Sequence, residues 1–162
     1  MLELRISVET DAAGLAATRR TEAQVAALRV TLDSFVAAHA AGAATSAVDF
    51  RFHLQIAQAT GNRYFEEALQ SLGRATIARH APEAVAGREA GDAPSPPTDR
   101  PEGSQFGDSL AQFIPSKLLA MREHEAIFEA IRAGDPAAAR AAMFEHLSQS
   151  RHRLRKIIDP AG

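Results

Sequence analysis

Apolar residues recur along this chain at the three-to-four-residue spacing of helices, and no stretch alternates apolar with polar positions as a half-buried strand does. Leu4, Val8, Ala12 and Leu15 share one face of a first helix predicted from Leu2 to Ala17. Val25, Leu28, Leu32, Phe35 and Val36 carry a second, from Thr21 to Ala40, ending before Gly42. A third runs from Thr45 to Thr60 and stops at Gly61-Asn62. Asn62 is placed to cap a fourth that reaches His80. A fifth resumes at Asp108 or Ser116 and ends at Ala133. Gly134-Asp135-Pro136 then supplies a C-cap glycine, an N-cap aspartate and a proline at the first position of a sixth helix, which runs to Ile158.

Between the fourth and fifth helices the pattern lapses. Over residues 81–107, Pro82, Pro94, Pro96, Pro97 and Pro101 alternate with Gly87, Gly91, Gly103 and Gly107, and large apolar side chains nearly vanish. Such composition predicts a flexible excursion. It need not divide the chain, because neither half alone offers a convincing core, so one domain is expected over residues 1–162.

Composition agrees with an all-α fold. Alanine is abundant and β-branched residues are sparse, which favours helix throughout. The 162 residues carry 18 Lys+Arg against 20 Asp+Glu, a formal net charge of −2 that gives no electrostatic footprint for DNA or RNA. There is no cysteine. Disulfides, thiolate metal sites and a cysteine nucleophile are thereby excluded. No apolar run is long enough to span a membrane and no signal peptide opens the chain, so a cytoplasmic protein is expected.

Six histidines remain as candidate chemistry. His53 follows Asp49 by four residues, so imidazole and carboxylate project from one helix face, which continues through Ile56. His124 shares the apolar stripe of Met121, Ile127, Phe128 and Ile131, and His146 that of Ala139, Ala142 and Met143. His124 lies 10 residues before Gly134 and His146 lies 11 after Asp135. At about 1.5 Å per residue, a hairpin sets both rings at one level. Inward-facing polar groups are costly unless satisfied. Two readings are open: separate core histidines with ordinary hydrogen-bond partners, or a divalent cation shared by three imidazoles and one carboxylate. That donor set suits zinc, nickel, manganese, iron or cobalt.

Four motifs, in order, resemble the FCD domain, the effector-binding half of FadR-type GntR-family transcription regulators. They are Arg5-x-x-x-Glu9 with Ala12-Ala13-Gly14-Leu15-Ala16-Ala17; Asp49-Phe50-Arg51-Phe52-His53 with Ile56-Ala57-Gln58-Ala59-Thr60-Gly61-Asn62; Glu123-His124-Glu125-Ala126-Ile127-Phe128-Glu129-Ala130-Ile131 with Gly134-Asp135; and Ala141-Ala142-Met143-Phe144-Glu145-His146-Leu147. The resemblance covers nearly the whole chain. It implies an antiparallel bundle of six or seven helices enclosing a pocket. It also implies that Asp49, His53, His124 and His146 bind a divalent ion, zinc first, beside a small carboxylate such as an organic or sugar acid. Arg5 matches the family's first-helix arginine, suited to clamping that carboxylate; its other reading is a surface i, i+4 pair with Glu9. Asn62 borders the implied pocket, though a helix cap accounts for it alone. His39, His80 and His152 are assigned no function, and the basic run Arg151–Lys156 reads as a solvated helix end. In such regulators a winged helix-turn-helix precedes this domain. It is absent ahead of Met1, so DNA binding is expected only of a parent protein, acting as a homodimer.

Two other functions compete with the sensor domain. A metal-dependent hydrolase of esters or phosphoesters needs a placed base, and no H-E-x-x-H motif occurs; Glu125, beside His124, projects about 100° away on the helix. A metal-stiffened dimerisation module without effector is the third.

Overall fold

The computed structural model describes residues 2–77 and 106–158, which form six α-helices and no strand. They are α1 (Leu2–Arg19), α2 (Glu22–Ala40), α3 (Ser46–Ala59), α4 (Arg63–Ile77), α5 (Phe106–Ala133) and α6 (Pro136–Ile158). Most of the excursion expected over 81–107 lies outside the described residues. Phe106 and Gly107, assigned to it above, instead open α5.

The turns form where short polar side chains and glycines can meet the unpaired backbone groups of helix ends. Thr21 accepts from the Gln24 amide while the Gln24 side chain accepts from the Thr21 amide, a reciprocal cap on α2. Gly61 and Gly134 take φ of 66° and 73°, a left-handed conformation that ends α3 and α5. Asp135 Oδ1 accepts from the amides of Ala137 and Ala138 at 3.0 and 2.9 Å, restarting the chain as α6 within a single residue of the break. Arg20 donates to the carbonyls of Ile131 and Arg132 at 3.2 and 2.8 Å, and so joins the end of α1 to the end of α5.

Helix α1 packs against α3, α4, α5 and α6, and α2 closes the bundle against α3 and α5. The contacts Asp11–Arg140 and Glu3–Arg151 run in opposite sequence directions, so α1 and α6 are antiparallel. The core holds Leu28, Leu32, Phe52, Ile56, Ile127, Ile131 and Met143, with Ala12, Ala13, Ala16 and Ala17 from α1. The predicted face of α1 is thereby corrected. Leu4 is 54% exposed, and Leu15 and Val8 are only partly covered. Alanines are buried in their place because small side chains let the α1 and α6 backbones approach closely, and Ala139 of α6 is itself fully buried. Val36 is likewise exposed, on the lip of an apolar groove formed with Leu32, Phe35 and Met121.

Candidate metal centre

Asp49 and His53 come from successive turns of α3, His124 from α5 and His146 from α6. Each offers one ligand atom, and the four atoms lie within 4.8 Å of one another. The equal spacing of His124 and His146 about the Gly134 turn has its expected result: their ring centroids are 4.4 Å apart. His53 stands 5.5 Å from His124 and 5.2 Å from His146. All three imidazoles are buried. Asp49 is the open side of the cluster, its side chain 37% exposed, with Oδ1 3.2 Å from His124 Nε2.

Burial leaves these rings short of partners. Both nitrogens of His53 and both of His124 are covered and make no aligned hydrogen bond. His53 Nδ1 is nevertheless 2.5 Å from Glu9 Oε2, a short contact set off the hydrogen-bond line. An unsatisfied buried polar atom costs about 1–3 kcal/mol, so several on one point mark a place built to receive something. A cation answers that need, because it accepts the lone pairs of neutral imidazoles and the charge of a carboxylate together. Two ligands bonded to one ion at about 2.0–2.2 Å stand near the 3.2 Å that separates Asp49 Oδ1 from His124 Nε2. The donor set, with this pair already at bonding separation and all four atoms within 4.8 Å, could hold a divalent metal.

A second layer surrounds the first. Glu9, only 2% exposed, lies between His53 and Arg5, whose Nε is 2.5 Å from Glu9 Oε1. The Arg5–Glu9 pair thus exists, but on a buried face rather than on the surface. Glu123 takes the corresponding place beside His146: Oε2 is 2.8 Å from His146 Nδ1, and Arg153 donates to both oxygens at 2.7 and 2.8 Å. Glu9 and Glu123 reach the centre only through the packing of α1 on α3 and of α5 on α6, and Arg153, expected in a solvated run, turns inward to Glu123.

Electrostatics match this layering. Burial pushes the His146 imidazole down to about 4, against the opposing hydrogen bond to Glu123, so the ring is neutral and able to coordinate near pH 7. Burial raises the Glu123 carboxyl, but the hydrogen bonds of Arg153 and His146 outweigh it and hold the group at about 2. Glu9 and Asp49 behave alike: burial acts upward, and the neighbouring histidines prevail and keep both carboxyls below their usual range.

The remaining expectations separate cleanly. Asn62 Oδ1 accepts from the Tyr64 amide at 3.1 Å, which is the N-cap of α4, and Asn62 is not among the four residues of the cluster. Arg51 is exposed on the opposite side of α3. Glu125, the nearest candidate for a catalytic base, is bound by Arg29 at 2.6 Å on another face of α5.

The FCD domain model matches residues 1–93 and 114–149. This chain belongs to the FCD family. The HTH-type transcriptional regulator LutR of Bacillus subtilis (strain 168) is 26% identical over 152 residues, covering 91% of this chain and 58% of that protein. A solved structure described as Streptococcus agalactiae GntR matches in fold with a TM-score of 0.67 at 23% identity, over 94% of this chain and 56% of that one. The FCD chain therefore spans less than two thirds of these relatives. The family found is the one whose motifs the sequence resembles. No helix among the described residues is long and apolar enough to cross a membrane.

Proposed function

We propose that this domain holds a divalent metal ion on Asp49, His53, His124 and His146. With Arg5 beside it, the ion binds a small carboxylate that modulates DNA binding by a parent regulator. The observation that carries the reading is the convergence of three buried imidazoles and one carboxylate whose ligand atoms lie within 4.8 Å of each other. The nitrogen-rich donor set favours zinc, with nickel, manganese, iron and cobalt as competitors. The ion would act as a Lewis acid that fixes an anionic group at its open position.

Charge supports an anionic effector. Asp49, Glu9 and Glu123 outnumber Arg5 and Arg153 by one negative charge across the two layers. A divalent ion reverses that excess to one positive charge, which a carboxylate neutralises. Arg5 engages Glu9 through Nε, and no hydrogen bond among the described residues occupies its two terminal nitrogens. Those nitrogens are suited to a paired grip on a carboxylate. Asp49, the least covered member of the four, marks the side of entry.

Regulation follows if the effector binds two arrangements of the helices with different affinity. In a dimeric cytoplasmic parent that difference would be transmitted to the DNA-binding half. A thermal-shift screen of organic and sugar acids tests the reading, run on metal-loaded and on chelator-stripped protein. Selected acids should raise the melting temperature of the loaded form alone, by mass action, and Arg5→Met should blunt the shift. If no acid acts, or if acids act equally without metal, the effector reading fails.

A further inference from the structure

We infer that Glu9 and Glu123 are positioning residues of this centre, each holding one imidazole with its inner nitrogen turned toward the ion, whereas His124, which meets Asp49 through Nε2, is braced on its outer side by aromatic packing. The inference rests on the metal-centre reading above and extends it outward by one layer.

The two carboxylates have the same job in different parts of the fold. Glu9, from α1, faces Nδ1 of His53 on α3 and is gripped from outside by Arg5. Glu123, from α5, faces Nδ1 of His146 on α6 and is gripped from outside by Arg153. A carboxylate at Nδ1 places the ring proton there. The lone pair is then left on Nε2, the nitrogen available to a metal. For His53 that Nε2 is buried and without a partner. Each arginine in turn keeps its carboxylate ionised and fixed in direction.

His124 has no such brace. Its Nδ1 is buried and, unlike Nδ1 of His53 and of His146, stands in no ion-pair contact among the described residues; the carboxylate beside this ring, Asp49, meets Nε2 instead. Phe35 meets the ring edge-on at 5.2 Å and Phe52 lies tilted against it at 5.0 Å. Its orientation comes from the shape of the space those rings leave.

The test uses Glu9→Gln and Glu123→Gln, with Glu123→Asp as the conservative variant and circular dichroism to check folding. Zinc affinity is measured by competition with a chromogenic chelator, and imidazole tautomers by nitrogen-15 NMR of the metal-free protein. Each Gln variant should bind zinc about 10–100-fold more weakly, with Glu123→Asp recovering part of the loss. Wild-type His53 and His146 should be Nδ1–H tautomers, and each Gln variant should disturb only its own histidine. If Glu9→Gln does not fold, Arg5→Met releases the same carboxylate from outside and should disturb His53 alone. Unchanged affinity in both variants, or Nε2–H tautomers at His53 and His146 in the wild type, would overturn the inference. A wild type that takes up no zinc fails the metal reading; the tautomers, read without metal, then decide the positioning roles by themselves.

Discussion

His124 and His146 stand at one level of a single helical hairpin, their rings 4.4 Å apart, yet different forces hold them. His146 is fastened by charge: Glu123 takes its Nδ1 and Arg153 clamps Glu123. His124 is fastened by volume, between Phe35 and Phe52. A hydrogen-bonded brace fixes direction and tautomer but responds to protons and salt. A packed wall ignores both and responds to lost volume. A centre built both ways can be disturbed selectively, and the consequences differ in kind.

The largest effect should come from the wall. Phe52 is fully buried and touches the rings of both His53 and His124. Phe52→Ala should cost about 3–5 kcal/mol of stability, with an acid dependence like that of the wild type; chemical denaturation across pH measures both. A fall below about 1.5 kcal/mol, the range of tolerated volume-conserving swaps, would mean that packing is not what holds His124.

Acid should act on the braced side. The His146 pKa is lowered in the folded protein, from 6.5 to about 4, so the unfolded chain binds the additional proton between those values. Stability of metal-free protein should therefore be fully present above pH 6.5. It should fall as the pH drops toward 4, by on the order of 3 kcal/mol from this ring. A flat profile over that window would contradict a buried neutral His146.

Arg153→Met sharpens the contrast at smaller scale. It removes the two hydrogen bonds on Glu123 while leaving the aromatic wall intact, and should cost about 1–2 kcal/mol. Its loss should make the stability of the metal-free protein less dependent on salt and on acid, because the folded Glu123 carboxyl returns toward its ordinary range, but should not mimic Phe52→Ala in the heat of unfolding. The smallest effect belongs to Glu125→Gln. That carboxylate neighbours His124 in sequence but pairs with Arg29 near the surface, so the change should stay within about 0.5 kcal/mol and leave zinc affinity unaltered.

The hairpin was the most legible part of the molecule. Gly134-Asp135-Pro136 has a defined stop-and-start chemistry, and counting outward from it places two rings at one level whatever else the chain does. Asp49 and His53 were legible for a similar reason, since an i, i+4 pair on an apolar helix has one direction to point. The face of α1 was not. Ala12, Ala13, Ala16 and Ala17 are too small and too continuous to mark a side, so Leu4 and Leu15 suggested the wrong one. With that face misplaced, Glu9 looked like the surface partner of Arg5 instead of a buried support for His53. Glu123 and Arg153 are 30 residues apart and meet only because α5 and α6 fold back, so no local pattern announces their pair.

Metal content tests the central claim most directly. Protein purified without chelator and loaded with zinc, nickel or cobalt should retain a single ion per chain after desalting, as measured by inductively coupled plasma mass spectrometry. Asp49→Ala and His124→Ala should retain far less while staying helical. Stoichiometry near zero in the wild type with every metal offered, or full retention in both variants, would contradict the account.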